Sequence, residues 1–240
     1  MRWTAIITFT CALANVICAP ADVLPCSVKD KECLTDLTRR LFQSAVTGNK
    51  EMGITTSDPM YQEFVEGNFD TVKYTLTQSK LYGFKDCIIE STSISPDEET
   101  AEIQMICPKF RMTSKFVIVG DLIGVPTNGD GDLIIEATDV HITVSNKLER
   151  ITGDGGISAL ALKIIKVNPK ISGSLVFKVD NVNNRDKSVP TETIVKVFNE
   201  NWPAAAEILQ GPIFDSSIKN LADNINTYLK TKPSDTLIKS

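Results

Sequence analysis

The chain predicts an α+β fold in which a twisted, curving antiparallel sheet wraps around a long C-terminal helix. Three observations carry that expectation. The last fifty residues hold an apolar stripe at helical spacing: Ile194, Val197, Phe198 and Trp202, then Ala206, Leu209 and Ile213, then Phe214, Ile218, Leu221, Ile225 and Tyr228. Between Phe69 and Asn181 the pattern changes to alternation with turn residues between runs, as half-buried strands require. A single short amphipathic helix precedes the strands. Strands and helices of this length cover each other best when the sheet curves around the helix.

Taken in order, the N-terminus reads as an export signal, with Arg2 as its basic start and Trp3 to Ala14 as an apolar core too short to span a bilayer. Small residues Val16 and Cys18 place the cut after Cys18, giving a signal peptide over 1–18 and one domain over 19–240. Leu34 to Ala45 is helix one, carrying Leu34, Leu37, Leu41, Phe42 and Ala45 at helical steps, with Thr35 or Asp36 as cap and Gly48 as stop. Ser57, Asp58 and Pro59 turn the chain. From Phe69 to Ile89, Val72, Tyr74 and Leu76 share one side, and Thr71, Lys73, Thr75 and Thr77 the other. Further strands are expected at Ala101 to Cys107, Met112 to Ile123, Leu133 to Ser145, and Ser158 to Asn181 with a break at Pro169. Turns are expected at Thr127 to Gly131 and Gly153 to Gly156. Gly211 and Pro212 stand where one helix would end and another begin, so the terminal stripe reads as two or three collinear pieces, the last, Pro212 to Thr231, ~30 Å long.

Composition narrows the function classes. About 220 residues with 42% hydrophobic content build one core without a linker. Net charge is −5, one unit more negative once Arg2 leaves, with no basic patch, which argues against nucleic acid and anionic membranes. No second apolar run approaches membrane-spanning length, so no stable membrane insertion is expected. No Asn-X-Ser/Thr triplet offers a glycosylation site. Beyond the signal, Cys26, Cys33, Cys87 and Cys107 form an even set in an oxidising compartment. Cys26 and Cys33 close a local loop onto helix one. Cys87 and Cys107 are equidistant from Asp97 in the turn-like Ser95 to Glu99 stretch, so a hairpin there sets them face to face. Free buried thiols are the alternative. The lack of CxxC and the lone histidine, His141, argue against a zinc site.

Two constellations invite a chemical reading and fail on spacing. Asp139, His141 and Ser145 share one strand side, but residues four apart on a strand stand ~13 Å apart, beyond proton-transfer reach. Asn128, Asp130 and Asp132 resemble the start of a calcium loop. Leu133 replaces the required glycine and Asp139 the terminal glutamate, so a hairpin turn is the better reading. No metal, cofactor or catalytic group is expected.

Several short motifs together carry a resemblance. Cys26-x6-Cys33 precedes helix one and Asp58-Pro59 follows it; Leu81-Tyr82-Gly83-Phe84-Lys85-Asp86 closes the first long strand. Pro126-x-x-Gly129-x-Gly131, Asn199-Glu200-Asn201-Trp202 and Lys232-Pro233 with Leu237 complete the order. The chain resembles the insect haemolymph juvenile-hormone-binding and takeout family over nearly its whole length beyond the signal; the Cys87 and Cys107 pair is additional to the takeout pattern. The resemblance implies a single α-wrap domain, similar to one half of bactericidal permeability-increasing protein, with an internal tunnel. It also implies secretion and a monomeric carrier of a small hydrophobic ligand, a juvenile hormone-like terpenoid or a fatty molecule, with no enzymatic role. The lining residues expected from spacing are Phe42, Val72, Tyr74, Phe198, Trp202, Phe214, Ile218, Leu221 and Ile225, with Tyr74 as the candidate polar group. Extracellular recognition of a lipid-bearing surface is the alternative, and a secreted esterase a third.

Overall fold

The computed structural model describes residues 25–95, 97 and 99–239. The expected export signal, and Pro96 and Glu98 of the expected hairpin turn, lie outside the described residues. The elements run β1 (Cys26–Ser27), α1 (Lys31–Thr47), β2 (Met60–Asn68), β3 (Val72–Tyr82), β4 (Ile88–Ser95), β5 (Thr100–Leu122), β6 (Val125–Thr152), β7 (Ser158–Asn184), α2 (Thr191–Glu200), α3 (Trp202–Leu229) and β8 (Ile238–Lys239). Helix, strands, then helices is the expected order.

The main sheet is antiparallel, in the order β2-β3-β5-β6-β7, with β4 also paired to β5. β5 is long enough to hold two neighbours end to end on one edge. β4 takes Thr100 to Ile106, and β3 takes Arg111 to Gly120. Pro108 falls in the gap between them, where no ladder bond is asked of its missing N–H; this is how one uninterrupted strand replaces the two expected. Pro169 is tolerated for a related reason. β7 is an edge strand, so it runs unbroken through Pro169, which pairs with Ile142, and the expected break does not occur.

The turn expected at Thr127 to Gly131 is not there. Those residues are rungs of β6 opposite Phe116 to Gly120, just after Val125 and Pro126, and the chain reverses earlier, at Ile123-Gly124, where φ is +51° and +81°. β2 carries no sequence expectation. Its inward residues include Gln62 and Gly67, and Tyr61 and Phe64 point out, so its alternation is masked. The stretch expected as one strand from Phe69 to Ile89 is divided by a 3-10 turn at Phe84–Asp86.

Helix α1 starts before the expected Leu34. Asp30, not Thr35 or Asp36, caps it, its Oδ1 accepting the Cys33 N–H at 3.0 Å, while Gly48 ends it as expected. Thr35 instead joins α1 to β4, its Oγ1 accepting the Thr92 N–H at 3.0 Å. Both expected disulfides form. Cys87 and Cys107 face each other one rung beyond Ile88 and Ile106, with Cα atoms 4.1 Å apart. At the far end of the chain, β8 pairs in parallel with β1, and Leu237 joins Cys26, Leu34, Leu37 and Leu229 in a small cluster.

Helix α3 shows that the sheet curls. It packs against both β7 and β2, the strands at the two ends of the order β2-β3-β5-β6-β7. In a flat sheet those edges would stand ~19 Å apart, four strand spacings, wider than a helix of ~10 Å can bridge. The break in the terminal stripe is at Asn201, between α2 and α3. No helix end occurs at Gly211-Pro212, and α3 runs through both as one 28-residue helix. Only the N–H that would serve the Ile208 carbonyl is lost there. Pro203 sits in the first turn of α3, where a missing N–H has no cost.

An exposed edge strand leaves backbone groups without partners, and two asparagines supply them on β7. Asn226 of α3 accepts the Leu162 N–H at 2.8 Å and donates to the Leu162 carbonyl at 2.9 Å. Asn199 of α2 does the same to Phe177, at 2.7 and 3.0 Å. Each carboxamide imitates one rung of a neighbouring strand. Asn226→Leu is expected to cost about 1–3 kcal/mol, the range for leaving partly buried backbone groups unpaired. A lowered urea midpoint at unchanged slope checks it, and an unchanged midpoint would show that packing alone holds α3 to this edge.

Candidate functional site

Two cavities lie between the concave sheet face and the C-terminal helices. The larger is walled by Tyr74 and Leu76 of β3, Phe116, Ile118 and Leu122 of β5, Leu133 and Ile135 of β6, and Phe177, Val179 and Val182 of β7. Ile194, Val195 and Phe198 of α2 and Leu209 of α3 close it. A water molecule's centre has about 80 Å³ there in which to move, several times the roughly 10–15 Å³ that one water needs. The smaller cavity, about 40 Å³ by the same measure, lies among Leu81, Phe110, Met112, Ala137, Ile171, Leu175, Gln210, Ile213 and Phe214. Ile135, Phe177 and Leu209 belong to both walls, so the two spaces are neighbours along α3.

Strand alternation builds this lining. Phe116 and Ile118 on β5, Leu133 and Ile135 on β6, and Phe177 and Val179 on β7 are each two apart, so each pair projects to the helix side. The polar lining residues Thr127, Asn128, Asn184 and Thr191 gather where β6 begins, β7 ends and α2 starts. The connection from β7 to α2 is tied down beside them. Arg185 N–H donates to the Asn128 carbonyl at 2.8 Å, Asn184 Nδ2 to the Val189 carbonyl at 2.9 Å, and the Arg185 guanidinium pairs with Asp130.

Tyr74 is the one phenol on these walls. Its ring lies over Gly67, its cross-strand partner, and its hydroxyl donates to the Leu209 carbonyl at 3.2 Å. Burial pushes its pKa up from the ordinary phenol value, so it stays a neutral donor. Leu209 lies three residues before Pro212, in the turn where the helical ladder loses a donor. Tyr74 thus joins the sheet to α3 at the wall between the cavities.

Of the residues expected from spacing, Tyr74 and Phe198 line the larger cavity and Phe214 the smaller. Phe42, Val72, Ile218 and Leu221 are buried in the main core, and Trp202 and Ile225 pack partly buried against it. The sheet-side lining on β5, β6 and β7 had no place among the expected residues. Its signal was the alternation itself, which does not say which of two faces will be concave.

The constellations set aside on spacing sit in β6. His141 Nε2 lies 3.2 Å from Asp139 Oδ1 on the exposed surface, while Ser145 is opposite Lys166 and Glu102, four residues further along the strand. Asp130 pairs with Arg185, and Asp132 takes Lys115 Nζ at 2.9 Å and Asn181 Nδ2 at 2.7 Å. Strand rungs replace the hairpin turn expected there. Among the described residues no cluster of His, Cys, Asp or Glu could hold a metal ion, and no helix is long and apolar enough to cross a membrane.

A curled antiparallel sheet wrapped over one long helix, with apolar space between them, defines an α-wrap domain. The chain belongs to the haemolymph juvenile hormone binding protein family, whose model matches residues 5–239. It is 25% identical to the circadian clock-controlled protein daywake of Drosophila melanogaster over 227 residues, which is 90% of this chain and 86% of that protein. With daywake of Drosophila yakuba it shares 22% over 232 residues, covering 92% and 88%. Among solved structures it is similar to takeout 1 of Epiphyas postvittana, with a TM-score of 0.79, 19% identity, and coverage of 90% of this chain and 99% of that one. That likeness confirms the fold.

Proposed function

We propose that this protein is a secreted, non-catalytic carrier that shelters one small hydrophobic molecule, a juvenile hormone-like terpenoid or a fatty molecule, in a tunnel formed by the two cavities. The observation that carries the reading is the common wall of Ile135, Phe177 and Leu209 between two almost wholly apolar spaces. Apolar space of this kind favours an apolar guest over water. Removing ~400 Å² of apolar surface from water is worth on the order of 10 kcal/mol, which after association costs leaves micromolar to nanomolar affinity without a charged anchor. The two disulfides and the family membership support an extracellular setting.

Native mass spectrometry of the protein as secreted, followed by solvent extraction, tests the proposal. One co-purifying oily molecule per chain is expected. Failure of the extracted protein to take up any C15 terpenoid or C16 fatty acid would end it, and ester turnover by purified protein would contradict the non-catalytic part. A second reading, recognition of a lipid-bearing surface, draws on Tyr61 and Phe64, which stand 60% and 58% exposed on edge strand β2. Under that reading the protein sediments with neutral phosphatidylcholine vesicles and carries no extractable molecule.

A further inference from the structure

Within this carrier reading, on which the inference rests, we infer that the ligand is polar at no more than one end. It is a hydrocarbon, or a fatty chain whose single polar group stays where α2 starts while its bare tail runs into the smaller cavity. Both cavities are walled almost wholly by hydrocarbon, and the polar residues around them direct their polar groups elsewhere. Tyr74 gives its proton to the Leu209 carbonyl at 3.2 Å, and Thr127 Oγ1 donates to the Val125 carbonyl at 3.0 Å. Asn128 is opposite Val119, which is 49% exposed, so its side chain lies on the outer face of the sheet. Gln210 borders the smaller cavity, but its Oε1 is buried away from that space.

What remains on the larger cavity is Asn184, whose Nδ2 already holds the Val189 carbonyl, and Thr191. Both are half-buried and flank the largely exposed connection from Arg185 to Pro190, so a polar group at this end of the cavity keeps its water. The opposite end differs. Leu81, Phe110, Met112, Ala137, Leu175 and Phe214 around the smaller cavity are all buried and offer no side-chain oxygen or nitrogen. A hydroxyl or carboxyl group carried that far loses its water and gains no partner in return, which is costly. A methyl end loses nothing there. The wall therefore selects by what it withholds: a chain with one polar end has a favourable orientation, and a chain polar at both ends has none.

Hexadecanoic acid and 16-hydroxyhexadecanoic acid differ only by a hydroxyl at the far end of the chain, and their binding to the delipidated protein, measured by titration calorimetry, tests this. The natural protein is expected to hold the hydroxy acid about 10- to 100-fold more weakly, the cost of burying one unpaired hydroxyl. Met112→Gln puts an amide in place of a buried thioether of similar shape on the wall of the smaller cavity. Ala137→Ser on the same wall adds a single oxygen. Whichever variant unfolds with the natural midpoint should narrow the ratio to about fivefold or less, because the far hydroxyl then finds a partner. Near-equal affinities in the natural protein, or a ratio that neither folded variant narrows, overturn the inference and leave the carrier reading standing. If the natural protein binds neither acid, the carrier reading fails and this inference falls with it.

Discussion

Phe214→Ala is expected to destabilise the protein by about 3–5 kcal/mol, the range for removing a buried phenyl ring from a packed core. Phe214 is 5% exposed on α3. It meets Phe110 of β5 edge to face at a centroid distance of 5.4 Å, and Phe110 meets the fully buried Phe84 in the same way at 4.9 Å. These three rings run from the helix through the central strand to the turn that follows β3. Deleting the first removes one aromatic contact and enlarges the smaller cavity. For a chain of this length the midpoint of thermal unfolding should fall on the order of 10 °C. Because the same ring lines the proposed tunnel, an oily guest should restore part of the loss by binding only the folded state. A loss below about 1 kcal/mol would mean that α3 is held by its edge-strand contacts and not by the aromatic series.

How much of this was legible follows from what each residue does. The helical stripe was readable because α3 buries one continuous face, including Ile213, Phe214, Ile218 and Leu221, and a period of 3.6 survives any detail of the sheet. The Cys87 and Cys107 pairing was readable because hairpin symmetry fixes it. The turn at Thr127 to Gly131 misled because glycine there serves another purpose. A Cβ on Gly129 would lie 2.8 Å from the Asn183 carbonyl oxygen and one on Gly131 2.9 Å from that of Asp180, so these glycines admit the close passage of β7. The true reversal at Ile123-Gly124 was hidden inside an apolar run, since Ile123 packs against the core despite its positive φ. For the site, the helix contributions Phe198 and Phe214 came from period. The sheet contributions, such as Phe116, Ile135 and Phe177, depend on which strand face curls inward, a property of the whole curled sheet and not of any one strand.

Gly83→Ala is expected to cost roughly 3 kcal/mol or more, although the residue lines neither cavity. Gly83 holds φ +126° and ψ −9°, a region in which a side chain adds strain of about 1–3 kcal/mol. A Cβ there would also stand 2.2 Å from the Lys109 carbonyl oxygen and 3.0 Å from the Phe110 ring, and a backbone carbonyl cannot rotate aside as a side chain can. The position matters because two distant turns are locked through it. Asp58 Oδ2 accepts the Gly83 N–H at 3.0 Å and the Lys85 N–H at 2.9 Å, which joins the turn before β2 to the 3-10 turn that buries Phe84. This accounts physically for the Asp58-Pro59 and Leu81 to Asp86 motifs as one structural unit. Urea unfolding at unchanged slope measures the loss, and the double variant with Asp58→Ala measures the unit. Asp58→Ala alone removes the acceptor of two N–H groups and should cost about 1–3 kcal/mol. Once Gly83→Ala has displaced those donors, the same change should cost much less. Losses that add to within about 0.5 kcal/mol would show that the two turns are held independently.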